Sequence, residues 1–298
     1  MTKKLTNKIT IIGPGLIGSS LGLALRKIKI ASEIVGVDPS EKNLNDALIN
    51  GSIDEGTTNL DDKILNSKII FICTPVSSIE NLTKKILHFT NPETIITDVG
   101  SVKQIFQKST LSLVKKHCKI VPGHPIAGTE HSGAINADKA IFKNKWCILT
   151  PVDSNKKEVK IISKIWEDIG MKISLMSAFE HDKIMSITSH LPHLIAFTIV
   201  GTAFNKNLKK KKELFNFSAG GFKDFTRIGS SDPKMWTDIF LQNKNHILKT
   251  LDDFLSDLQT LKKNISNNNS TQIMNLLKKT KKIRKGILDV EKNFGRSK

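Results

Sequence analysis

Lys8-Ile9-Thr10-Ile11-Ile12-Gly13-Pro14-Gly15-Leu16-Ile17-Gly18-Ser19-Ser20 decides the fold. An apolar, β-branched run from Lys8 to Ile12 has the pattern of a buried strand. Three glycines in Gly-x-Gly-x-x-Gly spacing follow at once, and Ser19 to Lys27 then reads as a helix. This order gives each glycine a mechanical task. Gly13 permits the tight turn, Gly15 lets a pyrophosphate reach bare backbone, and Gly18 lets the helix lie close to the strand. Leu16 and Ile17 lie between these last two glycines, and the N-terminus of the helix that follows offers free N–H groups and a positive dipole end to phosphate. A second strand, Glu33 to Val37, ends at Asp38, twenty residues beyond Gly18. A carboxylate there hydrogen-bonds the adenosine ribose hydroxyls and repels a 2′-phosphate, which favours NAD over NADP. Ser40 and Lys42 beside it leave room for the second cofactor.

Outward from this unit the alternation continues. Lys68 to Cys73 reads as a strand, followed by Thr74-Pro75 and a helix to about His88. Thr94 to Thr97 reads as the next strand, with a helix from Val102 to about Lys116, and Lys119 to Val121 as another. Trp146 to Leu149 and Lys172 to Leu175 read as later strands around a helix near Glu158 to Ile169. Such alternation predicts an α/β fold, a doubly wound parallel sheet of the Rossmann type. Ligands of these sheets bind at the carboxyl ends of strands, so Thr74, Pro75, Ser101 and His124 are expected on the edge the glycine turn occupies.

The stretch Gly123-His124-Pro125-Ile126-Ala127-Gly128-Thr129-Glu130 carries glycines and a proline that argue against a helix or central strand. It reads as a shaped loop offering one imidazole and one carboxylate. After about Ser177 the pattern turns helical. Glu180 to Phe204 reads as one long helix kinked at Pro192, and Phe240 to Leu261 and Thr271 to Lys292 as further helices. The last carries an apolar stripe through Ile273, Leu276, Ile283, Ile287 and Val290. The expected division is residues 1–177 as a nucleotide-binding domain and 178–298 as an all-helical domain. His190 and His193 share a helical face, but no third metal ligand is well placed, so no metal is expected. Ala219 to Arg227 reads as loop glycines followed by a guanidinium near a carboxylate, and Arg227 is suited to bidentate capture of a carboxylate group. Trp236 reads as a helix-packing aromatic or a wall of the site.

Composition sets limits. The chain has 298 residues, 39% of them hydrophobic, enough for two domains. Three scattered cysteines without a Cys-x-x-Cys point to a reducing compartment and a cytoplasmic location. Lys3, Lys4 and Lys8 before an uncharged run imitate a targeting segment, but Gly13, Pro14, Gly15, Gly18 and Gly22 lie within that run. Neither a leader nor a membrane partner is expected. The formal charge of +18 is concentrated partly at Lys209 to Lys212 and partly after Lys278. The basic runs lack interleaved aromatics for base stacking, so solvated charge is preferred over nucleic-acid binding.

Read together, these motifs resemble the prephenate and arogenate (cyclohexadienyl) dehydrogenase family of tyrosine biosynthesis. The resemblance covers about Lys8 to Leu248. It rests on the glycine turn with its Ser-Ser-Leu continuation, Asp98 to Lys103, His124 to Glu130, His181-Asp182, Ser189 to His193, and Phe222 to Arg227 followed by Ser-Asp-Pro at 231–233. It implies NAD-dependent oxidative decarboxylation of a cyclohexadienol, with His124 as base and Ser101 orienting His124 or the C4 hydroxyl. It further implies that Arg227 holds the ring carboxylate and His193 the substrate side chain, with Glu130 and Asp224 positioning Arg227, and a homodimer formed through the helical domain. No preceding chorismate mutase module is expected. The competing readings are another NAD(P) dehydrogenase with a helical C-terminal domain, of the 3-hydroxyacid or imine type, and a catalytically silent NAD-binding regulator.

Overall fold

The computed structural model describes residues 6–129, 131–152, 156–205 and 216–296, with the side chains of 204, 205 and 287–296 left aside. Glu130 and Lys209 to Lys212 therefore lie outside the described residues. The chain divides into two compact units, Met1–Ile247 and Leu248–Lys298.

The first unit is built on β1 (Thr6–Ile12), α1 (Leu16–Lys27), β2 (Ala31–Val37), α2 (Glu41–Ile49), β3 (Glu55–Thr57), β4 (Ile69–Ile72), α3 (Val76–Ile86), β5 (Ile95–Asp98), α4 (Lys108–His117) and β6 (Lys119–Ile120). Six strands form one sheet in the order β3-β2-β1-β4-β5-β6, and every pairing is parallel. The order reverses between β1 and β4, which opens a crevice at their carboxyl ends. Strand periodicity sorts the core. Ile9, Ile11, Ile69 and Phe71 face the layer holding Leu21, Leu25 and Trp166, while Ile12, Ile70 and Ile72 face Ile79, Ile86 and Val114.

Three sequence expectations change here. Trp146–Leu149 (β8) and Lys172–Leu175 (β9) do not extend the parallel sheet. With β7 (Gly123–Pro125) they form a second sheet ordered β7-β8-β9, in which β7·β8 is antiparallel. His124, expected in a loop, thus sits on a strand opposite Ile148. Pro125 is tolerated because β7 is an edge, where no ladder donor is missed. The helix expected from Val102 begins only at Lys108. The amides of Lys103 and Gln104 donate to the Asp182 carboxylate and that of Gln107 to Glu80, so they are drawn away from a helical ladder.

The helical part follows α5 (Lys156–Ile169) and β9. Ser177 and Glu180 close a reciprocal cap on α6 (Ala178–Met185). Ser186–His190 is a π-helical turn, and α7 (Leu191–Asn205) continues from it. The irregularity of this continuous helix is a π-helical turn just before Pro192, where the Leu191 amide donates to the Ser186 carbonyl and the ladder accommodates the missing Pro192 N–H. Gly220–Thr226, expected as loop glycines, form a short helix, α8. Asp232 caps α9 (Pro233–Gln242), accepting from the Met235 amide at 2.7 Å. The helix expected over Phe240 to Leu261 is broken at Asn243, whose side chain turns inward, and resumes as α10 (Lys244–Ser266). Val76, Val102, Trp236 and Ile239 form a third apolar cluster. The second unit comprises the remainder of α10 and α11 (Ser270–Arg296); Leu255, Leu258, Met274, Leu277 and Ile283 on it are exposed.

Candidate active site

The glycine turn fits a dinucleotide. A Cβ at Gly18 would lie 2.3 Å from the Gly13 carbonyl oxygen, so only glycine allows α1 to lie this close. A Cβ at Gly15 would meet nothing within 4 Å, which leaves open space beside bare backbone. No side chain caps the start of α1 and no acidic residue occupies its first turn. The Leu16, Ile17 and Gly18 amides are thus left to an external anion. Asp38 directly follows β2, its carboxylate held on both sides, by the Ser40 amide at 2.8 Å and the Asn43 side-chain amide at 3.2 Å. Thr74 and Pro75 follow β4 beside this turn. The Thr74 methyl would be 2.9 Å from a Cβ on Gly13, and Pro75 immediately precedes α3.

At the end of the sheet, β5 and β7 bring a buried polar cluster together. Lys103 is buried, its ammonium on the Asp98 carboxylate and, at 2.6 Å, on the Gly123 carbonyl oxygen. The next residue, His124, is 9% exposed. Its Nδ1 meets His181 Nε2 at 2.8 Å, and His181 Nδ1 meets Asp182 Oδ1 at 2.8 Å. Among the described residues nothing hydrogen-bonds His124 Nε2. Burial holds the His124 imidazole well below its usual pKa, with His181, Lys103 and His190 adding to the effect. Burial lowers His181 too, although Asp182 opposes it. Both rings are neutral near pH 7. Ser101 is half-buried after β5 and forms no side-chain hydrogen bond among the described residues; the engaged nitrogen of His124 is taken by His181 instead.

A second group of side chains belongs to the helical part. His193 donates from Nδ1 to the Ser189 carbonyl at 2.9 Å and stacks on Trp236. Burial is the main influence lowering its pKa, and the Arg227 charge adds to it. Arg227 is exposed and opens a 3₁₀ turn, Arg227–Ser230, whose Gly229 packs against the Ala196 backbone of α7. Asp224 is exposed on α8, and among the described residues it forms no ion pair with Arg227. His190, expected to share a face with His193, is fully buried and bonded to Asn243 at 3.0 Å. Among the described residues no group of three or more His, Cys, Asp or Glu side chains is arranged to hold a metal ion. Ala178–Ala203 is long and apolar enough to cross a membrane by length and composition. Within it, however, His181, Asp182 and His190 are buried polar residues hydrogen-bonded to the rest of the unit.

Sequence motifs include Asp98, Lys103, His181 and Asp182 but assign them no task, offer His190 only as a metal ligand, and do not single out Asn243. The adjacent His181-Asp182 pair and an ionisable Lys103 beside Val102 were the available signals.

Fold and site together define a dehydrogenase: a nucleotide-binding sheet with a buried neutral imidazole at its ligand edge. Comparison with known proteins fixes which kind. Residues 21–175 match the family model described as prephenate dehydrogenase, nucleotide-binding domain, and residues 177–279 match prephenate dehydrogenase, dimerization domain. The chain belongs to the prephenate dehydrogenase family. It is 33% identical over 277 residues to the cyclohexadienyl dehydrogenase of Zymomonas mobilis, covering 93% of this chain and 94% of that one. It is 32% identical to the prephenate dehydrogenase of Bacillus subtilis, covering 95% and 77%. Among solved structures, the prephenate dehydrogenase of A. aeolicus in complex with hydroxyphenyl propionate and NAD+ superimposes with a TM-score of 0.87 at 34% identity, over 94% of this chain and 98% of that one.

Proposed function

We propose that this protein uses NAD to convert prephenate to 4-hydroxyphenylpyruvate, arogenate to tyrosine, or both, by oxidative decarboxylation in tyrosine biosynthesis. The observation that carries the reading is His124: a neutral, buried imidazole with one nitrogen tied down and the other unbonded. NAD, bound on the glycine turn, supplies a hydride acceptor. The uncapped amides of Leu16, Ile17 and Gly18 hold its phosphates, and Asp38 takes the adenosine ribose, with Thr74 and Pro75 lining the same crevice. His124 Nε2 accepts the proton of the C4 hydroxyl as the C4–H hydride leaves for the acceptor; the bond from the ring to its carboxylate then breaks, carbon dioxide departs, and the electron pair left behind makes the ring a phenolate that takes the proton back. Ser101 steadies the hydroxyl. Arg227, which forms no ion pair among the described residues, holds the ring carboxylate as a two-pronged donor. His193, kept planar against Trp236, borders the substrate side chain, and Asp224 and Glu130 guard the approach to Arg227.

The functional division falls at residues 1–177 for the NAD-binding domain and 178–298 for the helical domain. The match to a dimerization model and the exposed apolar side chains Phe179, Ile184, Ile187 and Ile199 support a homodimer formed through the helical domain. Cys73, Cys118 and Cys147 are free thiols, which suits the cytoplasm.

The test is reduced-nicotinamide absorbance with purified protein, NAD, and prephenate or arogenate in turn. Turnover of either establishes the reaction and ranks the two acids. NAD binding without turnover of either would overturn the reading in favour of a silent regulator or another dehydrogenase.

A further inference from the structure

Asp182 accepts three hydrogen bonds in the interior. Two come from backbone amides, Lys103 to Oδ1 and Gln104 to Oδ2, each at 2.8 Å. The third partner is His181 Nδ1, and a carboxylate can only accept, so that nitrogen carries hydrogen. His181, when neutral, then presents a bare lone pair at Nε2. The atom facing it at 2.8 Å, His124 Nδ1, must be the donor. This leaves His124 Nε2 as the unprotonated nitrogen. We propose that Asp182 and His181 are positioning residues that lock His124 in the Nδ1–H tautomer, so that its Nε2 is the proton acceptor of the reaction. The proposal rests on the reading of His124 as the base.

The surrounding charges support it. The residues facing the two rings are Asp98 on β5, Lys103 after it, Asp182 on α6 and His190 on the π-turn. Two carboxylates and one ammonium leave the cluster one positive charge short when both imidazoles are neutral. A proton arriving at His124 Nε2 supplies that charge, and through His181 it is met by Asp182. Lys103 opposes protonation of either ring beforehand. Asn243 anchors the assembly by donating to the Asp182 carbonyl at 2.8 Å and to His190 Nδ1.

Imidazole ¹⁵N shifts in the unmodified protein read the tautomers directly. Hydrogen on Nδ1 of both His124 and His181 is expected; hydrogen on Nε2 of neutral His124 would overturn the proposal. In turnover, His181→Leu removes the acceptor and is expected to lower kcat by about 10²-fold with KM within about threefold. His181→Gln, whose carbonyl can accept from His124 Nδ1, should recover most of that loss, whereas a purely structural role would give no such order. Asp182→Asn should lower kcat and shift the acid limb of its pH profile. Undiminished kcat in both His181→Leu and Asp182→Asn, with His124→Asn inactive, would sink the proposal alone. Full activity in His124→Asn would instead remove the base reading on which it stands.

Discussion

The imidazole of His193 lies flat on the indole of Trp236, ring centroids 3.7 Å apart and planes 21° apart. Trp236 is 5% exposed and packs with Val76, Val102 and Ile239, so the plane of His193 is set by the same cluster that holds the start of α3. Trp236→Phe keeps an aromatic face but shrinks it. The expected outcome is a several-fold rise in KM for the acidic substrate with a smaller change in kcat. Trp236→Ala should in addition lose about 3–5 kcal/mol of stability by leaving a cavity. Steady-state kinetics beside chemical denaturation check both, and an unchanged KM in Trp236→Phe would show that the stack only fills space.

Gly15 and Gly18 should separate binding from folding. A methyl at Gly15 enters open space, whereas at Gly18 it would press on the Gly13 carbonyl at 2.3 Å. Gly15→Ala is expected to fold with native stability and bind NAD at least about tenfold more weakly, because the methyl stands where the pyrophosphate meets the backbone. Gly18→Ala is expected to lower the melting temperature even without cofactor. Thermal melts with and without NAD read the difference; equal loss of stability in the two variants would refute the division of labour.

The parallel sheet was legible because β4 is an unbroken apolar run and because β1, over its last four residues, and β5 are buried and mostly apolar. The second sheet was not, because β7 is three residues with glycine and proline, a composition that resembles a turn until β8 is beside it. The late start of α4 has the same character. Nothing between Val102 and Gln107 forbids a helix; the Asp182 carboxylate, 78 and 79 positions away, takes the amides. Of the candidate site, the glycine turn, Asp38 and His124 carried local signatures. The chain from His124 through His181 to Asp182 joins residues 57 positions apart, and sequence spacing cannot state which nitrogen faces which.

Asp38 should govern the choice of cofactor. Both its oxygens are fixed, by the Ser40 amide and by Asn43, so the carboxylate cannot swing away from a 2′-phosphate. Asp38→Ser removes the negative charge and frees the Ser40 amide. The ratio of kcat/KM for NADP over NAD should rise at least about tenfold, a shift of about 1.4 kcal/mol in relative transition-state binding. A ratio that does not move would place the discrimination elsewhere in the crevice.

Arg227 should act through geometry as well as charge. It is exposed and, among the described residues, bound to no carboxylate, so its guanidinium is available as a planar donor. Arg227→Ala is expected to raise KM for the dicarboxylate by about 10- to 100-fold, and Arg227→Lys to recover little of it, because an ammonium does not reproduce a bidentate contact. Substrate titrations of the two variants decide this. Full recovery by lysine would reduce the contribution of Arg227 to charge alone.

Stability should fall on the acid side of neutrality, and His190 should carry much of the fall. Its side chain is fully buried, and burial lowers its pKa from 6.5 to about 4, the neighbouring His181 and His193 adding to the effect and Asp182 opposing it. Above pH 6.5 the ring is neutral in both folded and unfolded chains and contributes no pH dependence. As pH drops below 6.5 the unfolded chain takes the proton and the native chain does not, so unfolding is favoured progressively until about pH 4, where the native ring protonates too. The full loss over that window is on the order of 3 kcal/mol from this one residue. His124, His181 and His193 are shifted in the same direction and add to it. Urea denaturation of the wild type at a series of pH values from 7.5 to 4.5 should therefore show a steep decline. His190→Gln keeps a polar partner for Asn243 but has no proton to gain, and its decline should be measurably shallower. Parallel slopes in the two proteins would mean that His190 is not held neutral in the native state.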